Sequence, residues 1–65
     1  MKNDYQSETV KVTCTDTDVT VEGILVAEQR DRIRVDMSGA IMTFYRVKPG
    51  VYVANNAGME FVVNL

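Results

Sequence analysis

From Thr9 onward apolar and polar residues alternate with a period of two, the spacing that sends successive side chains to opposite faces of a β-strand. Val10, Val12 and Cys14 share one face, with Lys11 and Thr13 on the other, so a first strand is expected here. TDTD (Thr15–Asp18) follows as a turn, because short polar side chains bond back to nearby backbone groups. Val19 and Val21 then alternate with Thr20 and Glu22 as far as Gly23. Past the glycine, Ile24, Leu25, Val26 and Ala27 are apolar in succession. Glycine weakens a strand interior unless the chain must bend or be approached closely, and a run apolar on both faces implies that both are covered. The expectation is a long strand, bent at Gly23, with one face in a barrel and the other against a further surface.

The polar tip Gln29–Arg32 reverses the chain, and Ile33, Val35 and Met37 alternate with Arg32, Arg34 and Asp36 as a half-exposed strand. Ser38-Gly39 carries a hairpin signal, with glycine supplying positive φ. Ala40–Val47 is again apolar on both faces, and Lys48-Pro49-Gly50 turns the chain. A short strand over Val51–Ala54, a turn at Asn55-Asn56-Ala57-Gly58 and a last strand over Met59–Leu65 complete the pattern. Turns this tight join antiparallel neighbours, and a small curled antiparallel sheet closes on itself. The fold class expected is all-β, a small SH3-like antiparallel barrel of five to six strands, as one domain over residues 8–65. Residues 1–7 read either as an arm or as one helical turn capped by Asn3 or Asp4.

Length changes the picture first. With 65 residues the chain lies near the lower limit of independent folding. Ordering each residue costs roughly 1.5 kcal/mol, so about 100 kcal/mol of burial is needed to break even. Chains this short usually add disulfides, a metal or oligomerisation. With one cysteine, Cys14, and no histidine, oligomerisation is the supplement left. The polar start MKNDYQSE lacks a leader's apolar segment, no apolar run reaches membrane-spanning length, and a single unpaired thiol fits a reducing cytoplasm.

Net charge is −2, which excludes a polycation seeking phosphate with its whole surface. The distribution is more informative: Arg30, Arg32, Arg34, Arg46 and Lys48 fall within residues 30–48 with only Asp31 and Asp36, so that segment is +3 and the rest −5. Catalytic chemistry is not expected. Cys14 has no histidine to activate it and sits in phase with Val10 and Val12, Asp16 and Asp18 lie in a polar turn, and the four glycines mark bends rather than a phosphate cradle. No metal site and no cofactor are implied. Binding remains. Phe44 and Tyr45 are adjacent, so at most one points inward. An outward aromatic beside arginines is what single-stranded nucleic-acid binders use, stacking for bases and charge for phosphates.

Val10–Met37 together with Asn55–Val63 resembles the Sm/LSm family, which includes the bacterial RNA-chaperone rings. Gly23-Ile24-Leu25 matches that family's bent second strand, Gln29–Arg32 its following charged loop, and Asn56–Phe61 its second motif at the last turn. Gln29, with Arg32 or Ile33, stands where the family carries an aspartate and an asparagine; Ala57 replaces its arginine; residues 38–50 add a hairpin. The likeness is closest to small bacteriophage-type members. It implies subunits joined edge to edge, strand four on strand five, in a ring of five to seven. It also implies single-stranded RNA held by Gln29, Arg30, Arg32, Asn55 and Asn56, the amides reading base edges and the arginines holding phosphates. The alternative is a structural or adaptor SH3-like barrel that binds protein, such as a phage accessory, which the acidic balance favours.

Overall fold

Six strands carry the alternation: β1 (Glu8–Cys14), β2 (Val19–Glu28), β3 (Arg32–Met37), β4 (Ala40–Lys48), β5 (Val51–Asn56) and β6 (Met59–Asn64). In the computed structural model, which describes residues 8–65, they form a closed antiparallel barrel in chain order, β1 returning to pair with β6. The expected all-β barrel is what forms, consistent with a small SH3-like or Sm-like barrel. The arm or helical turn expected before residue 8 lies outside the described residues.

The inward phase of each strand builds the core. Val10, Val12, Ile33, Val35, Phe44, Tyr52, Ala54 and Val63 cluster together, and Phe44, Ile33, Val12, Val35 and Val63 are fully buried. Cys14 belongs to the same phase and is buried, its Sγ 3.8 Å from Met59 Sδ. Gly23 is there for close approach. A Cβ at that position would stand 2.5 Å from Val35 Cγ1 and 3.0 Å from Met37 Sδ, so only a bare backbone lets β3 side chains cross over β2. The register break comes later, as a bulge between Leu25 and Ala27, the usual device for bending a strand.

Turn chemistry fixes the hairpins. Ser38 and Gly39 have φ of 58° and 101° and join Met37 to Ala40 in a two-residue loop of the I′ kind. Asp36 Oδ1 accepts the Gly39 N–H at 2.7 Å. At the last hairpin the four-residue turn expected over Asn55–Gly58 is shorter. Asn55 pairs with Glu60 and Asn56 with Met59, leaving a two-residue loop in which Ala57 and Gly58 have φ of 55° and 78°. Both asparagines are therefore strand residues.

One expectation fails within a single chain. The doubly apolar runs do not have both faces covered: Ile24 is 40 % exposed, Val26 50 % and Ile41 54 %. Ile24 and Ile41 flank Asp36 across the outer sheet, in register Ile24–Asp36–Ile41.

An up-and-down meander places its turns alternately at two ends. The β2–β3 loop and the Pro49-Gly50 turn lie at one end; the β1–β2, β3–β4 and β5–β6 turns lie at the other. At the first end β2 to β6 make a continuous ladder, reaching Lys48 opposite Val51. At the second the β3–β4 hairpin parts from its neighbours, since the β2 ladder with β3 stops at Ile24–Asp36 and the β4 ladder with β5 stops at Tyr45–Val53.

Candidate functional site

The end bearing the β2–β3 loop collects the positive charge. Arg30, Arg32, Arg34, Arg46 and Lys48 lie there or on the adjoining strand ends, against Glu8, Glu28 and Asp31 among the described residues. The opposite end carries Asp16, Asp18, Asp36 and Glu60, with no lysine or arginine in its three turns. The five cations of the +3 segment thus gather at one end of the barrel, while its Asp36 lies toward the other.

At the basic end the loop is pinned by backbone. Gln29 N–H donates to Arg32 O at 2.8 Å, and Arg46 N–H donates to Asp31 O at 2.9 Å, tying the loop to β4. Two residues in a row never share a strand face, but neighbours across a ladder do. Arg32 stands opposite Tyr45, both in the outward phase because Ile33 and Phe44 point inward. The guanidinium lies over the Tyr45 ring, 5.5 Å from its centroid, within the range of cation–π attraction. It also donates twice to Asp31, Nε to Oδ1 and one terminal nitrogen to Oδ2, each at 3.2 Å. That fork holds the Asp31 carboxyl below the ordinary carboxylate range and raises the Arg32 pKa further. Tyr45 itself stays 53 % exposed, which leaves ring surface open for stacking. A cleft of about 90 Å³ lined by Ala27, Gln29, Arg32, Ile33 and Arg34 adjoins the pair.

Of the five residues expected to form one site, the structure brings together Gln29, Arg30 and Arg32. Asn55 and Asn56 are exposed on the β5–β6 hairpin at the opposite end. There Thr15 Oγ1 donates to Glu60 Oε1 at 2.7 Å, and Glu60 N–H donates to Asp16 Oδ2 at 2.9 Å. The acidic residues of that end therefore splice the β1–β2 turn to the last hairpin.

Two features had little sequence signal. Asp31 as the partner of Arg32 was visible only as adjacency. The other is an apolar groove of about 300 Å³ at the acidic end, lined by Val12, Cys14, Val19, Val21, Met59 and Phe61. Val19 and Val21 lie in the inward phase, opposite Cys14 and Val12, yet are 54 % and 46 % exposed because no β3 residue reaches that far along β2. Alternation marks them as core; the length mismatch between β2 and β3 leaves them open.

Among the described residues no helix is long and apolar enough to cross a membrane. No family model matches the chain, and no curated protein or solved structure matches it either.

Proposed function

We propose that this protein is a non-catalytic, self-associating Sm-like barrel that binds single-stranded RNA at its basic end. The observation that carries the reading is the Arg32–Tyr45 stack, 5.5 Å from guanidinium to ring centroid, with Arg34 on the same outer face and Arg30 in the adjoining loop. In this arrangement the exposed Tyr45 face takes a base and the surrounding cations take phosphates; Gln29 reads a base edge beside the cleft. Asp31 holds Arg32 in place, so the platform exists before RNA arrives and little ordering cost is left for binding. Asn55 and Asn56 stand outside this interface. The ring of five to seven copies, the likeness to bacteriophage-type members and a cytoplasmic setting belong to the same reading. The small size of the chain supports self-association independently.

A second reading, an adaptor barrel that binds protein, draws on the exposed outer apolar residues Ile24, Val26 and Ile41. The two part on salt dependence. Three phosphate contacts on a single strand, from Arg30, Arg32 and Arg34, give a slope of roughly −2.1 in log affinity against log salt, about a 20-fold loss between 50 and 200 mM. Fluorescence anisotropy with a labelled uridine-rich oligonucleotide, on protein freed of carried nucleic acid, measures it. A loss near that size supports the RNA reading. Absence of binding at 50 mM removes it and leaves the adaptor.

A further inference from the structure

The acidic end and the basic end differ in shape as well as charge. At the acidic end is the apolar groove, with Val19 and Val21 on one wall and Met59 and Phe61 on the other. Asp16 and Asp18 lie in the β1–β2 turn beside it, and Glu60 is the second residue of β6. At the basic end, β4 is broken by a bulge between Arg46 and Lys48. A bulge takes a residue out of the ladder and re-aims its side chain. The residue re-aimed is Val47, which at 62 % is the most exposed large hydrophobic among the described residues. Its two chain neighbours, Arg46 and Lys48, are exposed cations.

An apolar knob between two cations at one end thus complements an apolar groove with carboxylates beside it at the other. We propose that the occupant of the groove is a second copy of this chain, whose Arg46-Val47-Lys48 bulge seats Val47 between Val19, Val21, Met59 and Phe61 while its two cations face Asp16, Asp18 and Glu60. This rests on the self-association half of the functional reading and specifies its interface. The contact is heterologous: each copy offers a different surface to each neighbour, so it closes into a ring where the rotation between copies allows and otherwise runs on as a filament. It also covers the apolar surface that a 65-residue barrel leaves open. Opposite charge on the two surfaces aligns the encounter and rejects mouth-to-mouth and bulge-to-bulge pairing.

The decisive experiment mixes two blocked variants. Val47→Asp loses the knob and keeps the groove; Val19→Asp loses the groove and keeps the knob. Both positions are more than half exposed, 62 % and 54 %, so folding survives, and Val21→Asp serves as a second groove variant. Masses are read by sedimentation velocity at low salt on nuclease-treated protein, with far-UV circular dichroism confirming the fold. Wild type is expected as an oligomer, each variant alone as a monomer, and the equimolar mixture as a dimer that grows no further. A wild-type oligomer with a mixture that stays monomeric, or with variants that still assemble, overturns this interface and leaves self-association standing. A monomeric wild type overturns both. Oligonucleotide binding by the Val19→Asp monomer, whose substitution lies at the opposite end from Arg32 and Tyr45, then tests the RNA half separately.

Discussion

The two ends of the barrel use the same period-two alternation and arrive at opposite results. At the basic end β2 to β6 are paired up to their turns; the outward positions are left for Arg32, Arg34 and Tyr45. At the acidic end β2 outruns β3, and β4 parts from β5 after Tyr45, so residues in the inward phase meet solvent. Closing a ladder frees its outer face for charge and stacking. Leaving it open exposes core-type side chains that call for a partner. Strand length and register, rather than residue type, decide which happens.

The largest effect should come from the residue nearest the parting of β4 and β5. Phe44 precedes the last paired residue, Tyr45, and is fully buried. Phe44→Ala should cost about 3–5 kcal/mol, enough to unfold much of so small a domain. Tyr45→Ala, one position on and 53 % exposed, should leave the urea midpoint nearly unchanged while weakening RNA by about 1–3 kcal/mol. Equal stability losses in the two would break the inward–outward assignment.

A second contrast lies within one register pair. Val12 and Val21 face each other across β1 and β2, yet Val12 is 0 % exposed and Val21 46 %. Val12→Ala should cost about 2 kcal/mol by chemical denaturation, and Val21→Ala under about 1 kcal/mol. Should Val21→Ala instead dissociate an oligomer, the open groove is an interface, as inferred above.

Asp31 sharpens the basic end. Its carboxylate offsets the Arg32 charge beside the platform, so removing it leaves more of the guanidinium's attraction for an incoming phosphate. Asp31→Asn keeps one oxygen to hold Arg32 while removing the charge, so it should tighten RNA about two- to fivefold by anisotropy at neutral pH. Because folding lowers the Asp31 pKa through Arg32, the pair's small contribution to stability is present at neutral pH. It disappears as pH falls below the ordinary carboxylate value of about 3.9 and through the lowered one. Wild type and Asp31→Asn should thus converge in urea midpoint only in that acid window; convergence nearer neutrality contradicts the fork.

The smallest effect concerns the last turn. Ala57 holds φ of 55° beside Gly58 at 78°, a conformation that disfavours a Cβ. Ala57→Gly should stabilise by about 0.5–1 kcal/mol in thermal or urea unfolding, and a loss would mean that the loop is held otherwise.

Much of the architecture was legible because a half-buried strand writes its phase directly into the chain: Ile33, Val35 and Met37 against Arg32, Arg34 and Asp36, with Ser38-Gly39 to close the hairpin. What was not legible is non-local. The β1–β6 pairing joins residues far apart in sequence, and the different reaches of β2 and β3 leave no mark on residue type. Asn55 and Asn56 read as a turn because asparagine favours turns, while the positive φ values fall on Ala57 and Gly58. Their separation from Gln29, Arg30 and Arg32 was in principle countable. Three strands lie between the two loops, and an odd number of antiparallel strands sends loops to opposite ends; the family resemblance had drawn them together instead. The Arg32–Tyr45 pair needed the register, since nothing in sequence order sets residue 32 beside residue 45.

The most direct test of the division between the ends compares two double variants, Arg30→Ala with Arg32→Ala and Asn55→Ala with Asn56→Ala, in oligonucleotide anisotropy across a salt series. The arginine pair should weaken binding and flatten the slope of log affinity against log salt by about 1.4, two contacts at roughly 0.7 each, while the asparagine pair leaves both unchanged. Equal losses from the two pairs, or no change from the arginines, would contradict the placement of the RNA interface at the basic end.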